Sequence, residues 1–271
     1  MTEGRLQHGG LEREYYLYLP KGISENAPLV IVMHGYGGDA TAIMHLGMNK
    51  VADAHGFAVC YPRGWKDLNG KRGWNVGYPA QKGMVTDDVD FICNLATHLQ
   101  QKYNFSRDNS FCTGMSNGGD MCYLIAYRRP EAFAALASVA GLTLEWTMRK
   151  YLPKQSLPIM EIHGTADRVS MWNGDPYNKG GWGEYMAVPL AVGVWVAAAG
   201  CTHEITEILP RKENRRKVIL HRYTGGRPAW DKGPQTEVLL YEVVGGPHSW
   251  ATEDMDTFDE TWKFFSQYIR K

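Results

Sequence analysis

The sequence lacks any apolar run long enough to cross a membrane. It also lacks an excess of charge of either sign, because 29 Lys and Arg residues balance 29 Asp and Glu residues. A chain without net charge has no general attraction to nucleic acid or to an anionic membrane surface. We therefore expect neither a nucleic-acid partner nor a membrane partner.

Cysteine is scarce, and the few cysteines are scattered. Five are present, an odd number, and none of their spacings is typical of a metal site. They are Cys60, Cys93, Cys112, Cys122 and Cys201. We predict buried free thiols and no metal ion, and the sequence leaves a single disulfide open.

An apolar signal region is missing as well, because the chain opens Met-Thr-Glu-Gly-Arg. This favours either a cytoplasmic protein or one from whose sequence a leader has been removed. Internal repeats and low-complexity segments are also lacking. At 271 residues the chain is long enough for one large α/β domain, and we predict a single catalytic domain over residues 1–271.

What is present is an alternation of strand-like and helical patterns. The continuous apolar run 28–34 is typical of a strand buried on both faces of a mostly parallel sheet. Further strands are predicted at 13–20, 57–61, 134–140, 158–163, 202–209, 217–224 and 237–244. Helices are predicted at 41–54, 86–103, 120–128, 187–200 and 255–269, with a partly helical segment at 142–153.

The stretch Gly114-Met115-Ser116-Asn117-Gly118 lies between a strand-like run and a helical run. Glycines on both sides of a serine allow a sharp strand-to-helix turn that exposes the hydroxyl, which is the nucleophile elbow of the α/β-hydrolases. The alternative is a glycine-rich turn with an incidental serine. The positions of the other candidate catalytic residues along the chain, described next, favour the nucleophile elbow.

Asp167 follows the predicted strand 158–163, and His248 follows the last predicted strand. The order Ser116, Asp167, His248 is the order of an α/β-hydrolase triad. Ser116 is then the nucleophile, His248 the general base, and Asp167 the carboxylate that orients the imidazole. We prefer Asp167 to Asp175 because Asp175 lies in a turn-like Gly/Asn/Pro pattern. We interpret His163 as structural, and this chemistry needs neither a metal nor an organic cofactor.

The segment His34-Gly35-Tyr36-Gly37-Gly38 follows the buried strand at 28–34. Glycine-rich backbone at this point can direct N–H groups at a reacting oxygen. We predict an oxyanion hole formed by the N–H groups of Tyr36 and Asn117. A plain strand-to-helix turn is the alternative.

Two long aromatic loops, 62–84 and 170–186, are predicted above the sheet. Together with the loop after the last strand they carry four candidate substrate-binding residues: Trp74, Trp172, Trp182 and Trp250. These indoles either stack on a substrate ring or anchor the loops. The neighbouring pair Asp87-Asp88 suggests a helix N-terminus with a favourable dipole interaction more than a metal or acid–base site.

The motifs together resemble the feruloyl esterase/polyhydroxybutyrate depolymerase group of carbohydrate esterase family 1. The resemblance rests on these segments: His34-Gly-Tyr-Gly-Gly, Tyr61-Pro62, Gly73-Trp74-Asn75, Asp87-Asp88-Val89, Thr113-Gly-Met-Ser-Asn-Gly-Gly, His163-Gly-Thr-Ala-Asp and Gly245-Gly-Pro-His-Ser-Trp. It implies an α/β-hydrolase fold, with a mostly parallel central sheet, helices on both faces, long loops over the active site and no large separate cap domain.

The resemblance also implies a secreted or periplasmic serine esterase. Its substrates are expected to be small-molecule or polysaccharide esters, most of all feruloyl esters of plant cell-wall xylan. Acetylxylan esterase and polyhydroxybutyrate depolymerase activities remain alternatives within the group. Two alternatives outside this group also remain, a catalytically inactive binding module and a peptidase. The sequence leaves the oligomeric state open.

Overall fold

The computed structural model describes residues 1–153 and 155–271. Its main feature is a ten-stranded sheet with the order β1-β2-β4-β3-β7-β8-β9-β12-β11-β10. The strands of this sheet are β1 Thr2–His8, β2 Leu11–Tyr18, β3 Leu29–Met33, β4 Ala58–Pro62, β7 Ser110–Met115, β8 Ala135–Val139, β9 Ile159–Gly164, β10 His203–Ile208, β11 Val218–Thr224 and β12 Val238–Val243. A separate two-stranded hairpin is formed by β5 Trp65–Lys66 and β6 Arg72–Gly73.

The six central strands, from β4 to β12 in the sheet order, run parallel to one another. Antiparallel strands close the two sides, with β1 and β2 at one side and β11 and β10 at the other. The prediction of a mostly parallel central sheet is confirmed. Because parallel strands end at the same edge, the loops that follow β3, β7, β9 and β12 meet there.

Helices cover both faces of the sheet, as predicted. They are α1 Ala40–Ile43, α2 Met48–His55, α3 Asp88–Tyr103, α4 Asn117–Arg128, α5 Glu145–Lys150, α6 Val188–Ala199 and α7 Thr257–Ser266, with a 3₁₀ turn at Pro79–Gln81. Helices α3, α4 and α6 pack on one face, and α2 and α7 pack on the other.

Strand β3 shows how the two cores arise from one sheet. Leu29, Ile31 and Met33 point into the core beneath α3 and α4, whereas Val30 and Val32 point into the core beneath α2 and α7. All five residues are buried. Alternate side chains of a strand point to opposite faces, so a strand covered on both faces must be apolar throughout.

Two details differ from the sequence-based expectations. The strand β1 was missed because its residues are mostly polar and exposed. The helix predicted at 41–54 is two helices, separated at Gly47, which has φ 139°. The positive φ favours glycine there, and a Cβ at Gly47 would also lie in close contact with the Phe258 ring, at 3.1 Å.

The cysteines are free thiols, as predicted, and no disulfide is formed among the described residues. The Sγ atoms of Cys112 on β7 and Cys122 on α4 lie 4.0 Å apart. In the part of the chain that the structure describes, no helix combines the length and the apolar character needed to cross a membrane.

The start of α3 departs from the expectation for its two aspartates. Asp87 is the N-cap, accepting from the Asp90 N–H, and it pairs with Arg128 on α4. Asp88 is instead fully buried and binds Arg13 of β2, with 2.7 Å between Oδ1 and Nη2. The Arg13 guanidinium also lies 3.7 Å from the centre of the Phe91 ring. The helix dipole alone does not account for Asp88.

We expect Asp88→Asn to lower the free energy of unfolding by about 3 kcal/mol, because it leaves the buried Arg13 charge without its counter-ion. Urea denaturation measures the change. Glu12→Gln is the matched control, since it breaks the exposed Arg5–Glu12 pair and should cost less than about 1 kcal/mol. Equal losses of unfolding free energy in the two variants would show that the buried pair stabilises the protein no more than the exposed pair does.

Candidate active site

The three predicted triad residues follow three strands at one edge of the sheet. Ser116 follows β7, Asp167 follows β9, and His248 follows β12, with β8 lying between the first two strands. All four strands are parallel. The sheet order therefore brings residues that are more than 130 positions apart in the sequence to one edge.

Ser116 has φ 57° and ψ −124°, a backbone conformation that non-glycine residues rarely adopt. The turn is held by the Ser116 N–H, which donates to Val139 O at 2.8 Å. A Cβ at Gly114 would lie 2.6 Å from the Gly118 carbonyl carbon, and a Cβ at Gly118 would lie 2.6 Å from Met33 O. The glycines on both sides are thus required by close approach. Backbone strain at a single half-buried serine is typical of a functional site.

Asp167 and His248 form a hydrogen bond of 2.7 Å between Oδ2 and Nδ1. The other carboxylate oxygen of Asp167 accepts from the N–H groups of Val169 and Ser170, at 2.8 and 2.9 Å. The Asp167 side chain is fully buried, whereas His248 is 19% exposed. A buried carboxylate with fixed oxygens can hold the imidazole in one orientation.

The hydrogen bonds of the described residues include none between the Ser116 hydroxyl and His248. Bonds between a nucleophile and its base are often long when no substrate is bound. The alternative acid, Asp175, accepts from the Gly180 N–H at 2.7 Å and closes a turn within its own loop. Its contacts agree with the turn role inferred from its sequence.

The segment after β3 lies against the elbow. A Cβ at Gly35 would lie 3.3 Å from Ser116 Cβ. Across the described residues, the N–H groups of Tyr36 and Asn117 donate to no protein acceptor. Asn117 is the first residue of α4, where a helix has unpaired N–H groups. Both predicted donors are therefore available for an oxyanion.

His34 fixes this segment. Its Nε2 accepts from the Gly64 N–H at 3.0 Å, so the ring is neutral and its Nδ1–H donates to Gly35 O at 2.8 Å. Burial lowers the pKa of His34 below its ordinary value, in agreement with a neutral ring.

The side chain of Asn117 has a role that the sequence analysis missed. Its Oδ1 accepts from the Trp74 N–H at 2.7 Å, and its Nδ2 donates to Trp74 O at 3.0 Å. The indole of Trp74 is completely buried, and its N–H donates to His34 O at 2.8 Å. The prediction that Trp74 contacts substrate is corrected, because Trp74 instead connects the 62–84 loop to the elbow.

The other three predicted tryptophans are half-buried and lie in different places. Trp250 packs on Phe258 of α7, with 5.4 Å between ring centres, and Trp172 packs on His163 at 6.1 Å. Trp182 contacts Tyr36 and Tyr78, with ring centres 5.7 and 5.2 Å away. Of the four tryptophans, Trp182 is the one in ring contact with a residue of the predicted oxyanion hole.

Two more residues fix the aromatic cluster of Tyr36, Tyr78 and Trp182. The Tyr36 hydroxyl donates to Asp67 at 2.5 Å, and burial together with this bond raises the pKa of Tyr36 to about 12. The Tyr78 hydroxyl donates to Asp120 at 2.5 Å. The sequence signal for Asp120 was its position four residues after Ser116, on the first turn of the elbow helix, but its partner was not predictable.

Gln81 holds the inside of the 62–84 loop. Its Oε1 accepts from the N–H groups of Val76, Gly77 and Tyr78, and its Nε2 donates to Trp74 O at 2.7 Å. The loop is thus attached to the elbow helix by Asn117 and Asp120 and braced internally by one amide. No cluster of three or more His, Cys, Asp or Glu side chains suitable for a metal ion occurs among residues 1–153 and 155–271.

Comparison with known proteins identifies a family. Residues 13–173, more than half of the chain, match the family model described as esterase PHB depolymerase. The chain is 26% identical over 161 residues to a bifunctional acetylxylan esterase/xylanase of Neocallimastix patriciarum, covering 59% of this chain and 22% of that protein. It is 28% identical over 132 residues to feruloyl esterase B of Talaromyces stipitatus, covering 48% of this chain and 36% of that protein. The matched stretches thus span well under half of these relatives.

Among solved structures, an acetyl xylan esterase from Aspergillus awamori superposes with a TM-score of 0.66. The superposition covers 98% of this chain and 100% of that one, at 16% sequence identity. This likeness confirms the α/β-hydrolase fold.

The environment of the buried Asp120 side chain can be tested by the pH dependence of protein stability. Burial raises its pKa from 3.8 to about 7, although the bonds from Tyr78 and from the Leu142 N–H oppose the shift. Between these two values the folded protein keeps a proton that the unfolded chain has lost, so the Asp120 contribution to stability falls as pH rises. We expect Asp120→Asn to gain stability relative to the native protein by about 1 kcal/mol per pH unit over this range.

Urea unfolding from pH 4 to pH 8 measures this difference. Tyr78→Phe is the companion variant, because loss of the hydroxyl removes a bond that favours the charged carboxylate and moves the titration to higher pH. A constant difference between Asp120→Asn and the native protein at all pH values would contradict the assignment.

Proposed function

Because the chain belongs to the esterase PHB depolymerase family, we propose that it hydrolyses carboxylic esters through Ser116, His248 and Asp167. The observation that carries the proposal is the strained Ser116 turn at the sheet edge where Asp167 is bonded to His248. We propose further that residues 1–271 act as one catalytic domain. The ten-stranded sheet supports this, because it includes strands from near both ends of the chain.

In this mechanism, the Ser116 hydroxyl attacks the acyl carbonyl and His248 Nε2 takes its proton. The Nδ1–H of His248 donates to Asp167, which stabilises the imidazolium that forms. The N–H groups of Tyr36 and Asn117 donate to the oxyanion. The alcohol leaves with a proton from His248, and water then hydrolyses the acyl-enzyme by the same steps.

For the substrate, we propose a feruloyl ester of plant cell-wall xylan. The support is the aromatic cluster of Tyr36, Tyr78 and Trp182, which includes a residue of the oxyanion hole. A planar hydroxycinnamoyl ring gains contact area and ring stacking against such a cluster, whereas an acetyl group is too small to do so. Turnover of methyl ferulate, p-nitrophenyl acetate and acetylated xylan, measured side by side, ranks this against the acetyl alternative.

The nucleophile is tested by Ser116→Ala. We expect kcat to fall on the order of 10⁴-fold or more, since only substrate binding and the oxyanion hole remain. A fluorophosphonate probe followed by peptide mapping should label Ser116 in the native protein. Ser266→Ala, at an exposed position on α7, is the control and should keep full activity. Labelling at another serine would refute the assignment.

The acyl pocket is tested by Trp182→Ala with two esters of the same alcohol, p-nitrophenyl ferulate and p-nitrophenyl acetate. We expect kcat/KM to fall about 10-fold on the ferulate, because stacking and apolar contact are lost, and to change little on the acetate. The control is Trp230→Ala, whose indole packs against Arg270 near the C-terminus. Thermal melts exclude unfolding. Equal losses on the two esters would show that Trp182 only supports the loop.

A further inference from the structure

Two buried ionisable residues lie behind Asp167. Glu161 and His163 are two positions apart on β9, so their side chains share one face of the sheet. Both side chains are inaccessible to solvent, and Nδ1 of His163 lies 2.8 Å from Oε1 of Glu161. The catalytic steps proposed above use neither residue.

Their hydrogen bonds define the protonation of His163. Its Nε2 lies 2.7 Å from Ser170 O, and a carbonyl oxygen only accepts, so Nε2 carries a hydrogen. The Glu161 carboxylate accepts from the Tyr123 hydroxyl at 2.9 Å and from the Gly141 N–H at 3.3 Å. These donors favour the ionised carboxylate, to which Nδ1 of His163 then also donates.

His163 is then an imidazolium paired with the Glu161 carboxylate. Burial on its own would lower the pKa of His163, but the hydrogen bond and the charge of Glu161 outweigh burial and raise it.

We propose that the Glu161–His163 ion pair is a positioning device for Asp167, a role that rests on the proposed ester hydrolysis. His163 Nε2 lies 3.7 Å from Asp167 Oδ2, the oxygen that accepts from His248. The carbonyl of Ser170 accepts from His163, while the N–H of Ser170 donates to Asp167 Oδ1 at 2.9 Å. His163 thus fixes the loop that holds one carboxylate oxygen and places a positive charge beside the other.

Other ionisable groups lie on the elements that pack against Glu161 and His163. They are Asp120 and Tyr123 on α4, Tyr78 in the 62–84 loop, Tyr185 in the loop before α6, Glu242 on β12, which is paired in register with His163 and bonded to His221, and His248 beyond Asp167. Since a substitution at Glu161 leaves all of these in place, its effect reports on the ion pair.

The test is Glu161→Gln, which keeps the size of the side chain and removes its charge. The glutamine amide can donate to Nδ1 of a neutral His163, whose Nε2–H still donates to Ser170 O. Without the imidazolium, the negative charge of Asp167 is less compensated and favours protonated His248 more strongly. We expect the acidic limb of the kcat/KM profile to move to higher pH by about half a unit.

The matched control is Glu260→Gln on α7. Glu260 also accepts from a tyrosine hydroxyl, that of Tyr241, but it packs on the opposite face of the sheet. Its pH profile should superimpose on that of the native protein. Superimposed profiles of Glu161→Gln and the native protein would overturn the inference, whereas fluorophosphonate labelling of Ser116 would still support the proposed function.

A second measurement uses the native protein and does not depend on the variant folding. Nitrogen-15 NMR of the histidine rings at pH 7 should show His163 with both ring nitrogens protonated. A single protonated nitrogen would overturn the inference. If the native protein neither turns over esters nor reacts with the probe, the proposed function fails, and the NMR result still decides whether the ion pair exists.

Discussion

The site depends on how closely the chain can turn back on itself at Ser116. The turn places α4 against β7 and β3, with Gly118 directly over the carbonyl of Met33. Any Cβ at that point would clash with backbone atoms, which cannot move without disturbing the sheet. The positive φ of Ser116 is the strained result, and the rest of the site is arranged around the hydroxyl that this strain exposes.

Hydrogen bonds, together with apolar packing, attach the 62–84 loop to this turn. Asn117 binds both backbone polar groups of Trp74, Asp88 accepts from the Asn75 N–H, and Gln81 accepts from three successive N–H groups. An irregular loop that is buried must satisfy its backbone groups without a ladder, so buried side-chain amides and carboxylates take that role. These bonds hold the loop in a fixed position beside the catalytic edge of the sheet.

Beneath the site lie buried ionisable side chains that a purely apolar core would not need. Asp120 and Glu161 lie on the face of the sheet that α4 covers, each accepting from a tyrosine hydroxyl. Asp120 connects the elbow helix to Tyr78, and Glu161 pairs with His163 behind the catalytic carboxylate. Charges in such a setting act strongly because solvent does not screen them.

The sequence by itself determined the fold class, the positions of most strands and helices, and the order of Ser116, Asp167 and His248. These depend on local patterns: continuous apolar runs, helical spacing and glycines around a turn. It did not determine β1, whose polar residues carry no strand signal, or the break at Gly47, where the backbone has φ 139° and packs closely on Phe258. Nor did it distinguish Trp74 from Trp182, since burial depends on partners far away in the chain. The ion pairs of Arg13 with Asp88 and of Glu161 with His163 were likewise decided by tertiary structure, because a charge is stable in the core only when folding supplies its partner.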